Sequence, residues 1–191
     1  MPSITSDFIA KFRQDTESQW SNCRINRGLY GFQFQAGTKL LPGLSRPQVD
    51  EYQECVGFRF PDDLRLLLSQ INGTDLPTLN VYGYCGEPHR NGLGVYSYPR
   101  DIDHVMLRIQ DITPDREAIA EVLRMGGLDL PDDAGLLPFY SHRYVVCGLD
   151  RASSPVLSIH GKDAIVYGED LCQYLLTEFA QNGQQGVDPN A

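Results

Sequence analysis

The stretch SRPQVDEYQECVGFRFPDDLRLLLSQING, residues 45–73, reads as two short amphipathic helices joined by a tight corner. Ser45 with Gln48 three residues later is a capping box, which satisfies free backbone N–H groups at the start of the first helix. Gly57 stands where this helix would stop, because the left-handed conformation that ends many helices favours glycine. Three apolar residues at helical spacing are expected to face the core: Val49, Tyr52 and Val56.

The second helix of this stretch is predicted to begin at Pro61, since a residue in the first turn does not need the N–H that proline lacks. Asp62 and Asp63 follow at positions where the positive end of the helix dipole favours carboxylates. Asn72 and Gly73 then end the helix. Its core face is formed by residues at i, i+3, i+4 and i+7, namely Leu64, Leu67, Leu68 and Ile71.

The rest of the chain contains further amphipathic helices and short strands, without an internal repeat. Helices are predicted over residues 6–20 and 170–181, from Asp101 onward, and from Thr113 to Gly126 with Val122 facing inward. Strands are predicted over residues 29–35, 78–82, 94–98, 136–140, 143–149, 155–159 and 164–167, with a loop over 83–94. Short turns favour antiparallel pairing. We therefore expect one α+β domain over residues 1–181, mainly an antiparallel β-sheet flanked by helices, and a disordered tail over 182–191.

Several groups of residues resemble the SUKH superfamily, which is named partly after fungal regulators of cell-wall synthesis. They are FPDDLR (60–65), LL (67–68), NG (72–73), LLPFY (136–140), HRY (142–144), SPVLS (154–158), YGEDL (167–171) and YL (174–175). The match spans residues 41–179 in the expected order, and Gln53 stands where many members have a glutamate. Bacterial members are mostly immunity proteins. The resemblance therefore implies a SUKH-like domain that binds and neutralises a polymorphic toxin of nuclease or deaminase type.

Composition narrows the range of partners. The chain has 25 acidic and 16 basic residues, which give a net charge of −9. Phosphate groups would repel such a chain, so we expect no direct contact with nucleic acid. A basic protein partner fits better, although solubility alone also favours an acidic surface. The chain start lacks the features of a secretory signal, and no stretch has the length of a membrane span, so we expect a cytoplasmic protein without membrane contact.

Catalytic and metal-binding patterns occur only as fragments. The five cysteines are scattered, without a C-x-x-C pair, so no disulfide framework is predicted. Cys85 with His89, and His142 with Cys147, could each supply two metal ligands, whereas structural zinc normally has four. We therefore expect neither an enzyme nor a bound metal or cofactor. A small hydrolase that uses Cys85, His89 or His142 is kept as an alternative.

A partner-binding face is predicted on the loops and turns after residue 73, because aromatic residues dominate interface energetics. Two interpretations of His142-Arg143 are open at this point. In the structural one, His142 anchors a turn and Arg143 pairs with a carboxylate; in the functional one, both belong to the face. An intracellular scaffold or regulator, as implied by the superfamily members that do not act on toxins, is the alternative function. The predicted partner-binding residues are Tyr82, Tyr84, Glu87, Tyr96, Tyr98, Asp101, Asp103, Tyr140, His142 and Arg143.

Overall fold

A computed structural model describes residues 3–82, 87–89, 94–149 and 154–181, with the backbone alone at 82, 87–89, 180 and 181. The predicted tail over 182–191 lies outside these residues. The helices are α1 (Ser6–Ser21), α2 (Arg46–Val56), α3 (Asp62–Leu68), α4 (Ile102–Ile112), α5 (Arg116–Met125) and α6 (Leu171–Leu175). A 3₁₀ turn (Thr113–Asp115) precedes α5, and a π-helical segment (Leu176–Gln181) extends α6. The strands are β1 (Gly31–Gln33), β2 (Leu40–Pro42), β3 (Ile71–Thr74), β4 (Leu79–Tyr82), β5 (Glu87–His89), β6 (Gly135–Tyr140), β7 (Arg143–Cys147), β8 (Val156–His160) and β9 (Asp163–Gly168).

All strand pairings between these elements are antiparallel. The largest sheet has the strand order β6-β7-β8-β9, a second has the order β1-β4-β5, and β2 pairs with β3. The predicted α+β class with antiparallel strands is therefore confirmed, although the strands are divided among three sheets. The strand predicted over residues 29–35 contains only the three residues of β1.

The four-stranded sheet separates two buried clusters, because successive residues of a strand point to opposite faces. On one face, Val145 and Cys147 of β7 belong to the main core with residues of α1, α2, α3 and α6. On the other face, Tyr144 and Val146 of β7 pack with Ile119 of α5. Helices thus cover both faces of this sheet. Among the described residues, none of the helices combines the length and the apolar character that crossing a bilayer requires.

The first helix of the 45–73 stretch agrees with its prediction. Ser45 and Gln48 form the capping box, in which the Ser45 N–H donates to the Gln48 side chain at 2.9 Å. Gly57 ends α2 with a φ of 83°. The side-chain oxygen of Gln53 accepts a hydrogen bond from the Phe60 N–H at 2.7 Å, which fixes the corner before α3. The predicted buried stripe of α2 is confirmed.

The second helix of the stretch is shorter than predicted. Pro61 caps it instead of standing in its first turn, and it ends at Leu68. Ile71–Thr74 then forms β3, where a helix end was expected. Asn72 explains part of this difference, because its side chain donates to the Tyr98 carbonyl at 2.6 Å and accepts from the Tyr98 N–H at 2.9 Å. A contact with a distant segment thus replaces the local helix end.

Three other predictions are wrong. Residues 94–98 do not form a strand, and only a single bridge joins Val95 to Tyr140. Residues 87–89, predicted within a loop, form β5 and pair with β4. Val122 is 39% exposed, because the stripe of α5 that packs against the sheet is narrower than the apolar pattern indicated.

Candidate functional site

Two hairpin turns lie at the same end of the four-stranded sheet. Ser141 and His142 connect β6 to β7, and Gly161 and Lys162 connect β8 to β9. The turns are neighbours because the His142 carbonyl accepts a hydrogen bond from the Ile159 N–H at 3.0 Å. The first residue of each turn has a positive φ, 51° and 60°, as tight hairpin turns require to match the strand twist.

A cleft of about 440 Å³ opens beside these turns, and we name it the hairpin cleft. It lies within the range of about 300–1,000 Å³ that is usual for small-ligand pockets. Its polar lining consists of Asn80, Arg108, Asp111, Ser141, His142 and His160. Its apolar and aromatic lining consists of Phe32, Ile112, Tyr144 and Ile159. The cleft thus combines β1, β4, α4 and both hairpins, which are distant along the chain.

His142 is a half-buried member of the polar lining. Its Nδ1 lies 3.0 Å from the Ser141 hydroxyl, and its ring centroid lies 6.3 Å from that of His160. Burial lowers the pKa of His142 to about 4, and the positive charges of Arg143, His160 and Arg108 act in the same direction. His142 is therefore neutral at pH 7, when one ring nitrogen donates and the other accepts a hydrogen bond.

Arg108 on α4 supplies a permanent positive charge to the cleft. Burial raises the pKa of the Tyr96 phenol, the nearby guanidinium of Arg108 opposes this rise, and the phenol donates to the Ser141 carbonyl at 3.4 Å. In the part of the chain that the structure describes, Arg108 forms no salt bridge with a carboxylate. These contacts link α4 to the first hairpin turn and leave the charge of Arg108 beside the cleft.

Arg143, the neighbour of His142 in the chain, has a structural role on the opposite face of the sheet. Its Nε donates to Glu178 at 3.1 Å, and its Nη1 donates to the Ser158 hydroxyl at 2.7 Å. The guanidinium carbon also lies 3.6 Å from the centroid of the Tyr167 ring. These contacts agree with the structural interpretation, in which Arg143 pairs with a carboxylate, and they attach β7 to the C-terminal helical segment.

Three of the tyrosines predicted to contact a partner are core residues. Tyr96, Tyr98 and Tyr140 are buried. Tyr98 stacks on Tyr52 with ring centroids 4.6 Å apart, and Tyr140 stacks on Phe34 at 5.6 Å. The structure therefore does not support their assignment as exposed anchors. The physical reason is that a large aromatic side chain gains more from burial in the core than from exposure on a loop.

The two predicted aspartates have different environments. Asp101 accepts a hydrogen bond from the Ser97 N–H at 2.8 Å and pairs with Arg100 at 2.8 Å. It therefore closes a local turn before α4, and only a small part of its side chain is exposed. Asp103, in the first turn of α4, is exposed and available to a partner.

The remaining predicted contacts fall largely outside the described residues. Tyr82 and Glu87 are opposite each other in the backbone register of β4 and β5. Their side chains lie outside the described residues, as does the whole of Tyr84. The same holds for Cys85 and the side chain of His89, on which the hydrolase hypothesis partly depends.

The fragments of metal-binding sequence do not meet where the structure describes them. Cys147 is buried in β7, and burial raises the pKa of its thiol above the usual range. His142 precedes it by five strand positions, or about 16 Å at about 3.3 Å per residue, so the two cannot share a metal ion. Within the described ranges, no group of three or more histidine, cysteine, aspartate or glutamate side chains is arranged to hold a metal.

Sequence reasoning missed Arg108, Asn80 and His160 as members of a site. They come from α4, β4 and the second hairpin, so no local spacing connects them. The available signal was a histidine at or beside each of two predicted hairpin turns, His142 and His160.

A second surface feature lies on the outer side of α4. Asp103 and Leu107 are four residues apart, so they lie on the same face of this helix. Both are exposed, and Leu107 is 55% exposed. A carboxylate and an apolar side chain are thus adjacent and open to solvent.

The outer side of α5 continues the same pattern. Glu117 is exposed, and Met125 is 82% exposed. Arg116 donates to the carbonyls of Pro131 and Ala134, which brings the connection that follows α5 back to the start of this helix. Two aspartates of that connection, Asp132 and Asp133, are exposed. We define the α4–α5 surface by Asp103, Leu107, Glu117, Met125, Asp132 and Asp133.

A scan against protein-family models finds no matching family, and a search of curated proteins finds no match to this chain. The resemblance to the SUKH superfamily therefore stays a prediction, as do the function and partner that it implies.

Proposed function

We propose that the chain is a non-enzymatic binding module that attaches to a basic protein through the α4–α5 surface. The observation that carries this proposal is the presence of exposed carboxylates and exposed apolar side chains on this surface. Among the residues that the structure describes, none of its four carboxylates forms a salt bridge. Leu107 and Met125 offer apolar contact area of the kind that a partner covers.

Charge supports the choice of a basic partner. The net charge of −9 attracts a positively charged surface and increases the rate of encounter. Complementary charges also reject wrong partners, because like charges brought together at an interface are costly. The apolar side chains then supply affinity that long-range electrostatic attraction between the two proteins does not give.

The SUKH resemblance suggests which basic protein this would be. In this proposal the chain is an immunity protein that neutralises a cognate polymorphic toxin, of nuclease or deaminase type, in the cytoplasm. The groove with which such a toxin binds nucleic acid must be basic, since it neutralises phosphates.

One contact supports the resemblance. Two of the stretches that carry it touch, because Asp63 accepts hydrogen bonds from the N–H and the hydroxyl of Ser154, at 3.0 and 2.8 Å. Asp63 belongs to FPDDLR and Ser154 to SPVLS. The two stretches would occur together in one chain because their side chains bond to each other in the fold.

An affinity pull-down from the native cell, with mass spectrometry, tests the proposal. The surface variant carries Glu117→Lys, Asp132→Lys and Asp133→Lys. The control variant reverses exposed carboxylates elsewhere, at Asp7→Lys, Glu54→Lys and Glu169→Lys. Three reversals of two charges each change the net charge from −9 to −3 in both variants.

We expect the wild type and the control variant to retain the same basic, toxin-like protein, and the surface variant to lose it. Equal retention of the partner by the wild type and both variants would contradict the claim that it binds through the α4–α5 surface. Recovery of wall-synthesis or signalling proteins instead would contradict the immunity function and favour the scaffold or regulator.

A further inference from the structure

We propose that the hairpin cleft binds a small organic phosphate monoester, with the phosphate at Arg108, Ser141 and the two histidines. Its organic part would lie against Phe32 and the other apolar residues of the lining. This inference does not depend on the proposed function, because the cleft and the α4–α5 surface share none of their defining residues.

Arg108 has no salt bridge to a carboxylate among the described residues. Five other arginines pair with carboxylates, namely Arg13, Arg65, Arg100, Arg124 and Arg143. The polar neighbour of Arg108 is instead the phenol of Tyr96. Asp111 also lines the cleft but forms no salt bridge with Arg108 among the described residues, so this half-buried arginine is available to an external anion. Guanidinium groups bind phosphate oxygens in a bidentate manner.

The number of donors favours phosphate over carboxylate. Besides Arg108, the cleft offers the His160 imidazole, the Asn80 amide and one donor from the hydrogen-bonded pair of Ser141 and neutral His142. A phosphate monoester presents three terminal oxygens in a tetrahedral arrangement, whereas a carboxylate presents two in a plane. The donors come from three directions, α4, β4 and the hairpin turns, so they suit the tetrahedral group better.

The size and apolar lining of the cleft indicate an organic part. A volume of about 440 Å³ exceeds what an inorganic phosphate ion fills. Phe32 and Tyr144 provide aromatic surface, and Ile112 and Ile159 provide aliphatic surface. Small-ligand sites typically combine such surfaces with a few convergent polar groups.

Ser141 places a hydroxyl at the cleft, at a turn position that favours glycine. Its φ of 51° lies in the left-handed region, which is unfavourable for a residue with a Cβ. Glycine, as at Gly161 of the second hairpin, would relieve this strain but has no hydroxyl. The hairpin turn accounts for the positive φ, and serine in place of glycine puts a hydroxyl 3.0 Å from His142 at the cleft.

The proposal includes a pH dependence. Burial and neighbouring positive charges both disfavour protonation of His142, and the negative charge of a bound phosphate would oppose them, so the pKa of His142 would rise on binding. This rise strengthens binding as the pH falls, whereas protonation of the phosphate dianion at about pH 6 weakens it, so the imidazole signal of His142 in the bound and free chain measures the effect directly. The other titratable groups around His142 are Arg108, Asp111, Arg143, Tyr144 and His160.

Titration of the full chain with phenyl phosphate, followed through the imidazole NMR signals, tests the proposal. Two matched probes are used. Inorganic phosphate lacks the aromatic ring, and benzoate lacks the phosphate group. We expect saturable shifts of His142 and His160, and phenyl phosphate to bind at least about tenfold more tightly than either probe. Absence of saturable shifts would overturn the proposal. Equal or tighter binding of benzoate would overturn the assignment to phosphate, and equal binding of inorganic phosphate would overturn the organic part.

Arg108→Gln and Arg124→Gln form a matched pair of variants. Arg124 is exposed on α5 and pairs with Glu121, away from the cleft lining. We expect Arg108→Gln to weaken phenyl phosphate binding at least about tenfold and Arg124→Gln to leave it unchanged. If Arg108→Gln does not fold, His160→Gln replaces it, with a loss of at least about threefold expected. If a folded cleft variant bound phenyl phosphate with wild-type affinity, the assignment of the hairpin cleft as the phosphate site would be contradicted.

Discussion

The helical pair at residues 45–73 and the hairpin cleft use polar side chains in opposite ways. In the helical pair, Gln53 and Asp63 bond to backbone groups of other segments, so their hydrogen-bonding capacity is used within the fold. In the cleft, Arg108 and His142 line an open volume and have no carboxylate partner among the described residues. We infer that substitutions in the first region change stability, and that substitutions in the second change ligand binding and the response to pH.

The largest expected effect concerns the core face of the helical pair. Leu64 on α3 is 0% exposed, and we expect Leu64→Ala to lower the free energy of unfolding by about 3–4 kcal/mol. Leu66, on the same helix, is only partly buried, so Leu66→Ala should cost less than half as much. Urea unfolding at neutral pH measures both. Equal losses would mean that the face of α3 is wrongly assigned.

The next effect separates two adjacent residues of the hairpin. Arg143→Met leaves the largely buried Glu178 without its partner, and we expect a loss of about 3 kcal/mol in unfolding free energy. His142→Asn, one position earlier, should cost less than about 1 kcal/mol at neutral pH. Urea unfolding of the two variants checks this. A similar cost for both would contradict the distinction between a structural Arg143 and a cleft-lining His142.

A smaller effect is expected at the two aspartates that begin α3. Asp63→Ala removes the acceptor of two hydrogen bonds from Ser154, and we expect a loss of about 2 kcal/mol. Asp62→Ala removes an exposed carboxylate that has no side-chain partner among the described residues, so it loses the interaction with the helix dipole, which is worth about 0.5 kcal/mol. Thermal or urea unfolding of this matched pair gives the difference. If the two variants were equally stable, the hydrogen bonds between Asp63 and Ser154 would contribute nothing to the free energy of unfolding.

The smallest effect is a pH dependence. Because the pKa of His142 is lowered to about 4 in the folded chain, the unfolded chain takes up this proton at higher pH. The stability due to neutral His142 is complete above about pH 6.5 and decreases as the pH falls toward 4. After allowance for partial exposure, we expect His142→Asn to remove about 1 kcal/mol of that decrease.

Unfolding free energies at pH 7 and near pH 4.5 measure this effect in the wild type and in His142→Asn. His104→Asn is the control, because His104 is exposed on α4. An identical pH dependence in the wild type and His142→Asn would contradict the buried, neutral state of His142.

The sequence predicted the first helix of the pair well because its signals act over three or four residues. The capping box of Ser45 and Gln48, the stop at Gly57 and the apolar stripe of α2 are all local. The antiparallel hairpins of β6 to β9 were also predictable, since short turns separate runs of alternating or apolar residues.

The other features depend on contacts between distant residues. Asn72 looked like a helix stop, but its bonds to Tyr98 hold it in a strand. Asp63 looked like a dipole partner alone, but it also binds Ser154, 91 residues later. Tyr140 is of a residue type that often anchors interfaces. Only the fold shows that its ring stacks on another aromatic ring in the core.

The hairpin cleft was least predictable for the same reason. Its lining extends from Phe32 to Gly161, and neither Arg108 nor Asn80 belongs to a motif. The α4–α5 surface was partly indicated by the negative charge and by Asp103, but charge alone does not specify which acids remain unpaired. Salt bridges decide this, and they form between side chains that the fold brings together.

The central claim is that the α4–α5 surface binds a basic partner, while the helical pair only supports the fold. Its most direct test is calorimetric titration of the partner recovered by pull-down against the wild type, the surface variant and the control variant, at low and at high salt. We predict affinity at least about tenfold weaker for the surface variant at low salt, a smaller difference at high salt, and near wild-type affinity for the control. Equal affinities of the surface and control variants at both salt concentrations would contradict the claim.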